Sequence, residues 1–112
     1  MTRLRVCVSF VLLTLIALLI RREFLAQRSQ GRLTACRSNL KNIGTACEMY
    51  SADFAGRYPP RIGLLTPKYL RTIPTCPEAS RNTYSRSFES CSNPDAYTFY
   101  CAGENHPWAG RD

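Results

Sequence analysis

From Leu33 onward the apolar side chains recur in steps of three and four: Leu33, Cys36, Leu40, Ile43, Cys47, Tyr50 and Phe54. Between them stand mostly polar residues, among them Arg37, Asn39, Lys41, Asn42, Thr45, Glu48, Ser51 and Asp53. That spacing lays a single apolar seam along an α-helix, in the a/d rhythm of a heptad. Gly31 and Gly44 each lower helix propensity by about 1 kcal/mol relative to alanine, yet the seam crosses Gly44 in phase. Gly56 is the expected C′ residue, and Pro59–Pro60 forbids continuation. The helix is therefore predicted to end near Ala55.

Upstream, Val6 to Ile20 is a run of fifteen residues without a charge, flanked by Arg3 and Arg5 before it and Arg21 and Arg22 after it. As a helix this run rises about 22 Å, short of a hydrocarbon core of roughly 30 Å. Arginines at both ends can snorkel to the headgroups and cover part of the difference. A membrane anchor is expected, with Val6, Leu12, Leu15 and Ile20 facing lipid. The rival is a cleaved secretory signal, which shares the basic start and apolar middle but lacks a small-residue cleavage site in "LLIRREFLA". No helix breaker separates this run from the seam, so one helix from about Val6 to Ala55 is predicted. The alternative is two helices hinged near Gly31.

Beyond the helix the texture changes. Pro59, Pro60, Pro67, Pro74 and Pro77 punctuate a loop, with a short helical turn expected around "LTPKYL". "NTYSRSFES" is a weaker strand candidate and "DAYTFYCAG" a stronger one, with Tyr97, Phe99 and Cys101 on one face and Thr98 and Tyr100 on the other. "SNPD" before it reads as a turn, and Gly103 ends it. The predicted fold is α+β: a long N-terminal helix with a small antiparallel sheet packed on its C-terminal half. Residues 1–23 form the anchor, 24–55 the amphipathic spine, and 56–112 a head packed on 33–54.

Charge adds less than its size suggests. The net charge is +7, but the basic residues are spread along the helical part rather than packed in a run. No helix-turn-helix, zinc-finger or aromatic RNA platform accompanies them. A solvated helix surface near anionic lipid is the expected reading, and no nucleic-acid partner is expected. By the positive-inside rule, Arg21, Arg22, Arg28, Arg32 and Arg37 would hold the C-terminal part in the cytoplasm.

The cysteines point the other way. Of the six, Cys7 lies inside the apolar run, and Cys36, Cys47, Cys76, Cys91 and Cys101 crowd the remainder, a density natural for an oxidising compartment. An extracytoplasmic head with one or two disulfides is expected. Cys36 and Cys47 lie on one helix face but about 16 Å apart along the axis, too far to pair within one helix. Cys76–Cys101 is the first candidate, flanking the loop-to-strand unit. Its closure would contribute roughly 3–4 kcal/mol. Cys47–Cys91 is a second candidate, and Cys36 is left free or bonded elsewhere.

Candidate chemistry is sparse. No C-x-x-C pair occurs and His106 is the single histidine, so no zinc site is expected. A catalytic cysteine would need His106 as its base, with nothing in the sequence to support that pairing. No G-x-S-x-G, phosphate loop or H-E-x-x-H is present. Asp95, Glu104, Asn105 and Asp112 lack the regular spacing of calcium ligands. The sequence thus gives no catalytic residue, no cofactor and no metal, and the chain is expected not to be an enzyme.

The blocks "FLAQRSQGRLTACRSNLKNIGTACEMYSADFAGRYPP", "LTPKYLRTIPTCP" and "NPDAYTFYCAG", in that order behind a hydrophobic segment, resemble type IV pilins and type II secretion pseudopilins. The resemblance covers about residues 24–103. It implies a pilin-like, non-enzymatic structural subunit anchored once in the inner membrane, with its head outside the cytoplasm. Its partners would be the bilayer, like subunits in a filament, and other pilus or secretion components. The N-terminus departs from the family. No glycine precedes Gly31, so no leader-cleavage site is expected within these residues. With "EFLAQ" matched to the equivalent segment, Arg5 stands where the family has an assembly glutamate. A diverged single-pass protein that displays its head without entering a filament is the alternative. A coiled-coil anchor that dimerises through the seam, with no sheet packed on it, is the rival at the level of fold.

Overall fold

The computed structural model describes residues 1–92, 95–103 and 105–107. The element order is helix α1 (Thr2–Asp53), a 3₁₀ turn (Ile62–Leu65), strand β1 (Glu89–Ser92) and strand β2 (Asp95–Thr98). The fold is α+β, with one long N-terminal helix and a small two-stranded antiparallel sheet. The chain divides into two compact units, residues 1–31 and 32–112. Helix α1 contributes to both and is unbroken at Gly31 and Gly44.

In the first unit the apolar side chains stay uncovered. Val6, Leu12, Leu15 and Ile20 are all more than half exposed, as are Phe10, Leu13 and Leu18, so every face of the helix is greasy. The helix is long and apolar enough to cross a membrane. The two hydroxyls within its apolar run are satisfied locally: Ser9 donates to Arg5 O at 3.0 Å and Thr14 to Val11 O at 2.8 Å. Such back-bonding leaves neither hydroxyl demanding water in an apolar medium. Each Leu, Ile, Val or Phe at the centre of such a helix favours insertion by about 0.3–0.6 kcal/mol.

The second unit is built on one face of the C-terminal part of α1. Its buried core comprises Cys36, Ile43, Ala46 and Cys47 from the helix, Ile62 and Leu65 from the 3₁₀ turn, and Cys76 and Tyr84 from the loops. Leu40 and Tyr50 flank this core, half-buried. The predicted seam is thus present with two corrections at its ends. Leu33 is only partly buried and lies outside the core cluster. Phe54 is 47% exposed, because α1 stops at Asp53 and the chain turns away there. Ala55 (φ +54°) and Gly56 (φ +88°) take left-handed backbone, and Gly56 N–H donates to Ser51 O at 2.9 Å. Phe54 then keeps one ring face on Tyr50, centroids 4.1 Å apart, and leaves the other to solvent.

The predicted helical turn forms earlier than expected. Ile62–Leu65 winds first, and the amides of Tyr69 and Leu70 both donate to Leu65 O at 2.9 Å. The weaker strand candidate is strand only at its end. Asn82 Oδ1 accepts from the amides of Tyr84 and Ser85 at 3.1 Å each, which bends the chain before β1 can extend back. β1 and β2 pair with Glu89 opposite Thr98 and Ser92 opposite Asp95. Past Thr98 the ladder ends, but the alternation does not: Tyr97, Phe99 and Cys101 stay partly buried while Thr98 and Tyr100 are exposed. Ser87 Oγ holds this extension by accepting from Tyr100 N–H at 3.0 Å, and Ala102 N–H donates to Thr83 O at 3.2 Å. The "SNPD" turn includes Asn93 and Pro94, which lie outside the described residues, as do Glu104 and Asp112.

An aromatic layer joins the sheet to the helix. Tyr97 lies 4.6 Å from Tyr58 and 5.8 Å from Phe99, ring centre to ring centre. Its hydroxyl donates to Glu48 at 3.0 Å, and Tyr58 donates to the same carboxylate at 3.1 Å. Burial, and then Glu48, push the Tyr97 hydroxyl pKa up to about 12. A Cβ at Gly44 would meet the Tyr97 hydroxyl at 3.5 Å, an ordinary van der Waals contact. At the helix end Asp53 accepts from Lys68 at 2.6 Å and from Tyr69 at 2.7 Å.

Ile43 has no exposed surface and sits at the middle of this face. Ile43→Val should cost about 0.5–1.5 kcal/mol. Ile43→Asp buries an unpaired carboxylate and should prevent residues 32–112 from folding. Limited proteolysis and near-ultraviolet dichroism check both; a protease-resistant Ile43→Asp protein would contradict the core assignment.

Candidate metal centre

Four side chains from four separate segments converge beside the core. Cys36 comes from the buried face of α1. Cys76 opens a tight turn in which its amide donates to Arg81 O at 2.9 Å and Ser80 N–H donates to Cys76 O at 2.8 Å. Cys101 is the last inward residue of the β2 extension. His106 follows after Gly103, whose φ of +107° turns the chain back. Asn105 closes that turn by donating to Ala102 O at 3.0 Å.

The four ligand atoms, three sulfurs and one imidazole nitrogen, all lie within 4.8 Å of one another. Cys76 Sγ and His106 Nε2 are 3.6 Å apart. Cys36 and Cys76 are buried, and Cys101 and His106 are half-buried. No family model, curated protein or solved structure matches this chain. What the cluster can do is therefore read from its own geometry.

The sulfurs sit among hydrogen-bonding groups. Tyr84 Oη donates to Cys36 Sγ at 3.3 Å and accepts from Asn39 Nδ2 at 3.2 Å. Thr83 Oγ1 lies 3.1 Å from Cys101 Sγ, and Asn105 Nδ2 donates to the same sulfur at 3.4 Å. Burial raises the Cys36 pKa above the ordinary cysteine value, although the Tyr84 hydroxyl pulls the other way. Burial also opposes ionisation of Cys101, but the contacts from Thr83, Asn105, Cys76 and Cys36 outweigh it and hold that thiol below its ordinary value.

Set against the sequence, the structure brings Cys76 and Cys101 together, as the pairing argument required, but with both thiols free. Cys47 is a buried core thiol whose pKa is pushed up to about 11, chiefly by burial. Cys91 is exposed on β1, and these two are likewise unbonded. Neither a thiol beside His106 nor a metal-ligand set was expected from the sequence, and the structure brings together four residues that could hold an ion. His106 stands against Cys76, with Cys36 and Cys101 completing a four-ligand group. The signal available was "CAGENH", a Cys-x₄-His spacing in a turn, the one pair of ligands close in sequence. Cys36 and Cys76 enter only through the packing of loops on α1.

The burial pattern orders the thiols by reactivity. Among the cysteines of residues 32–112 in native protein, Cys91 should react first with a maleimide, whereas Cys36, Cys47 and Cys76 should react only on unfolding. Mass mapping of the labelled sites checks this. Ready cross-linking of Cys36 or Cys47 between chains would instead indicate an open coiled coil.

Proposed function

We propose that this chain is a non-enzymatic, pilin- or pseudopilin-like structural subunit, anchored once in the inner membrane by residues 6–20. The observation that carries the reading is the division of labour along α1. Its first part is apolar on every face and uncovered, and its C-terminal part is the spine on which an α+β head is built. In the pilin resemblance such a segment bundles with like segments and the head stays outside the cytoplasm. The subunit's work is then mechanical. Lateral helix packing holds copies together, and heads present a surface to other pilus or secretion components.

A second reading has its own support. The first turn of α1 holds Arg3 and Arg5 and no acidic residue. Arginines at the same depth in neighbouring copies repel one another where charge is poorly screened. That favours a diverged single-pass protein whose head acts alone.

The two separate by cross-linking in membranes. A photoreactive phenylalanine analogue at Leu15 should give a ladder of multimers if the apolar segments bundle. Monomer alone would favour the second reading over the filament subunit. Cys91 reports topology in the same cells: labelling by a membrane-impermeant maleimide before lysis is expected, and labelling only after lysis would place the head in the cytoplasm.

A further inference from the structure

We infer that Cys36, Cys76, Cys101 and His106 bind one zinc ion, and that this ion fastens the head to the helix. Zinc takes thiolate and imidazole ligands tetrahedrally, with Zn–S near 2.3 Å and Zn–N near 2.0–2.1 Å. Those bond lengths set a sulfur–nitrogen edge of about 3.6 Å and a sulfur–sulfur edge of about 3.8 Å in a regular tetrahedron. The Cys76–His106 separation is 3.6 Å, and no edge among the four atoms exceeds 4.8 Å. Contraction of the longer edges by about an ångström or less closes the site, without moving any segment to a new place.

Three features beyond proximity favour metal over simple burial. The set is complete, with four protein ligands and no position left for water, the arrangement of structural rather than catalytic zinc. The donor types match a soft, borderline cation and disfavour calcium or magnesium, which take oxygen. The sulfurs also have outer partners: Tyr84 on Cys36, and Thr83 and Asn105 on Cys101. Donors of this kind spread the negative charge of a metal–thiolate centre and orient its ligands.

The binding step balances simply. Three S–H bonds break and release three protons to solvent, while three Zn–S bonds and one Zn–N bond form. Neutral imidazole contributes no charge, so three thiolates and Zn²⁺ leave a centre of net charge −1. No electron transfer is involved. Disulfide formation between Cys76 and Cys101 would instead remove two electrons and two of the four ligands, so the two outcomes exclude each other.

The test uses the full chain in detergent, purified reduced and without an affinity tag of histidines. Titration with Co²⁺ should saturate at one ion per chain, with sulfur-to-cobalt charge transfer in the near ultraviolet and the red d–d bands of tetrahedral cobalt. Zn²⁺ should then bleach both. His106→Cys should retain binding and shift the spectrum toward four sulfurs, whereas His106→Ala should lose the tetrahedral signature. Tyr84→Phe should weaken binding by about 10–100-fold. Cys91→Ser, outside the cluster, should change nothing. Absence of saturable cobalt binding by the reduced wild-type protein would overturn the proposal, as would octahedral spectra or an unchanged spectrum in His106→Cys. Because the wild-type titration and the His106→Cys shift are positive signals, a variant that fails to fold cannot imitate them.

Discussion

Everything in residues 32–112 depends on one helix face. Cys36, Ile43, Ala46 and Cys47 present a narrow strip, and the head has little else to fold around. Its sheet has two strands of four residues, and a hairpin of that size does not stand alone in water. The loops supply Ile62, Leu65 and Tyr84 to the same strip. A unit this small buries limited apolar area, and units of this kind usually need a staple. The convergence of three thiols and an imidazole on the strip answers that need, because its four ligands come from the helix, the proline-rich loop, the β2 extension and the final turn.

The apolar segment and the head solve different problems with the same helix. Residues 6–20 keep every face greasy and return their hydroxyls to the backbone. From Cys36 onward only one face is apolar, and the outer face carries Arg37, Lys41 and Thr45 to solvent. The polar contacts of the head follow from this. Asn39, Glu48 and Asp53 sit beside the strip; Asn39 donates to Tyr84 Oη, while Glu48 accepts from Tyr97 and Asp53 from Tyr69, so the head is positioned in rotation as well as held by burial.

Periodicity made most of the fold legible. The three–four spacing from Leu33 found the spine, and the two-residue alternation from Tyr97 to Cys101 found the inward face of the hairpin. It failed where local hydrogen bonding outweighed pattern. The Asn82 turn removed strand from "NTYSRSFES", and left-handed backbone at Ala55 and Gly56 released Phe54 to solvent. The cluster was hidden for a different reason. Only Cys101 and His106 are near in sequence; Cys36 and Cys76 reach them through tertiary packing, which spacing does not encode. Counting thiols for a disulfide singled out two of the four clustered residues, Cys76 and Cys101.

The most direct measurement is a count of free thiols in protein taken from its native membrane, denatured with a chelator and alkylated without reductant. Six modified cysteines, together with one equivalent of zinc released on denaturation, is the result this account predicts. Four modified cysteines, with Cys76 and Cys101 protected and no zinc released, would contradict it and return the head to a disulfide clip.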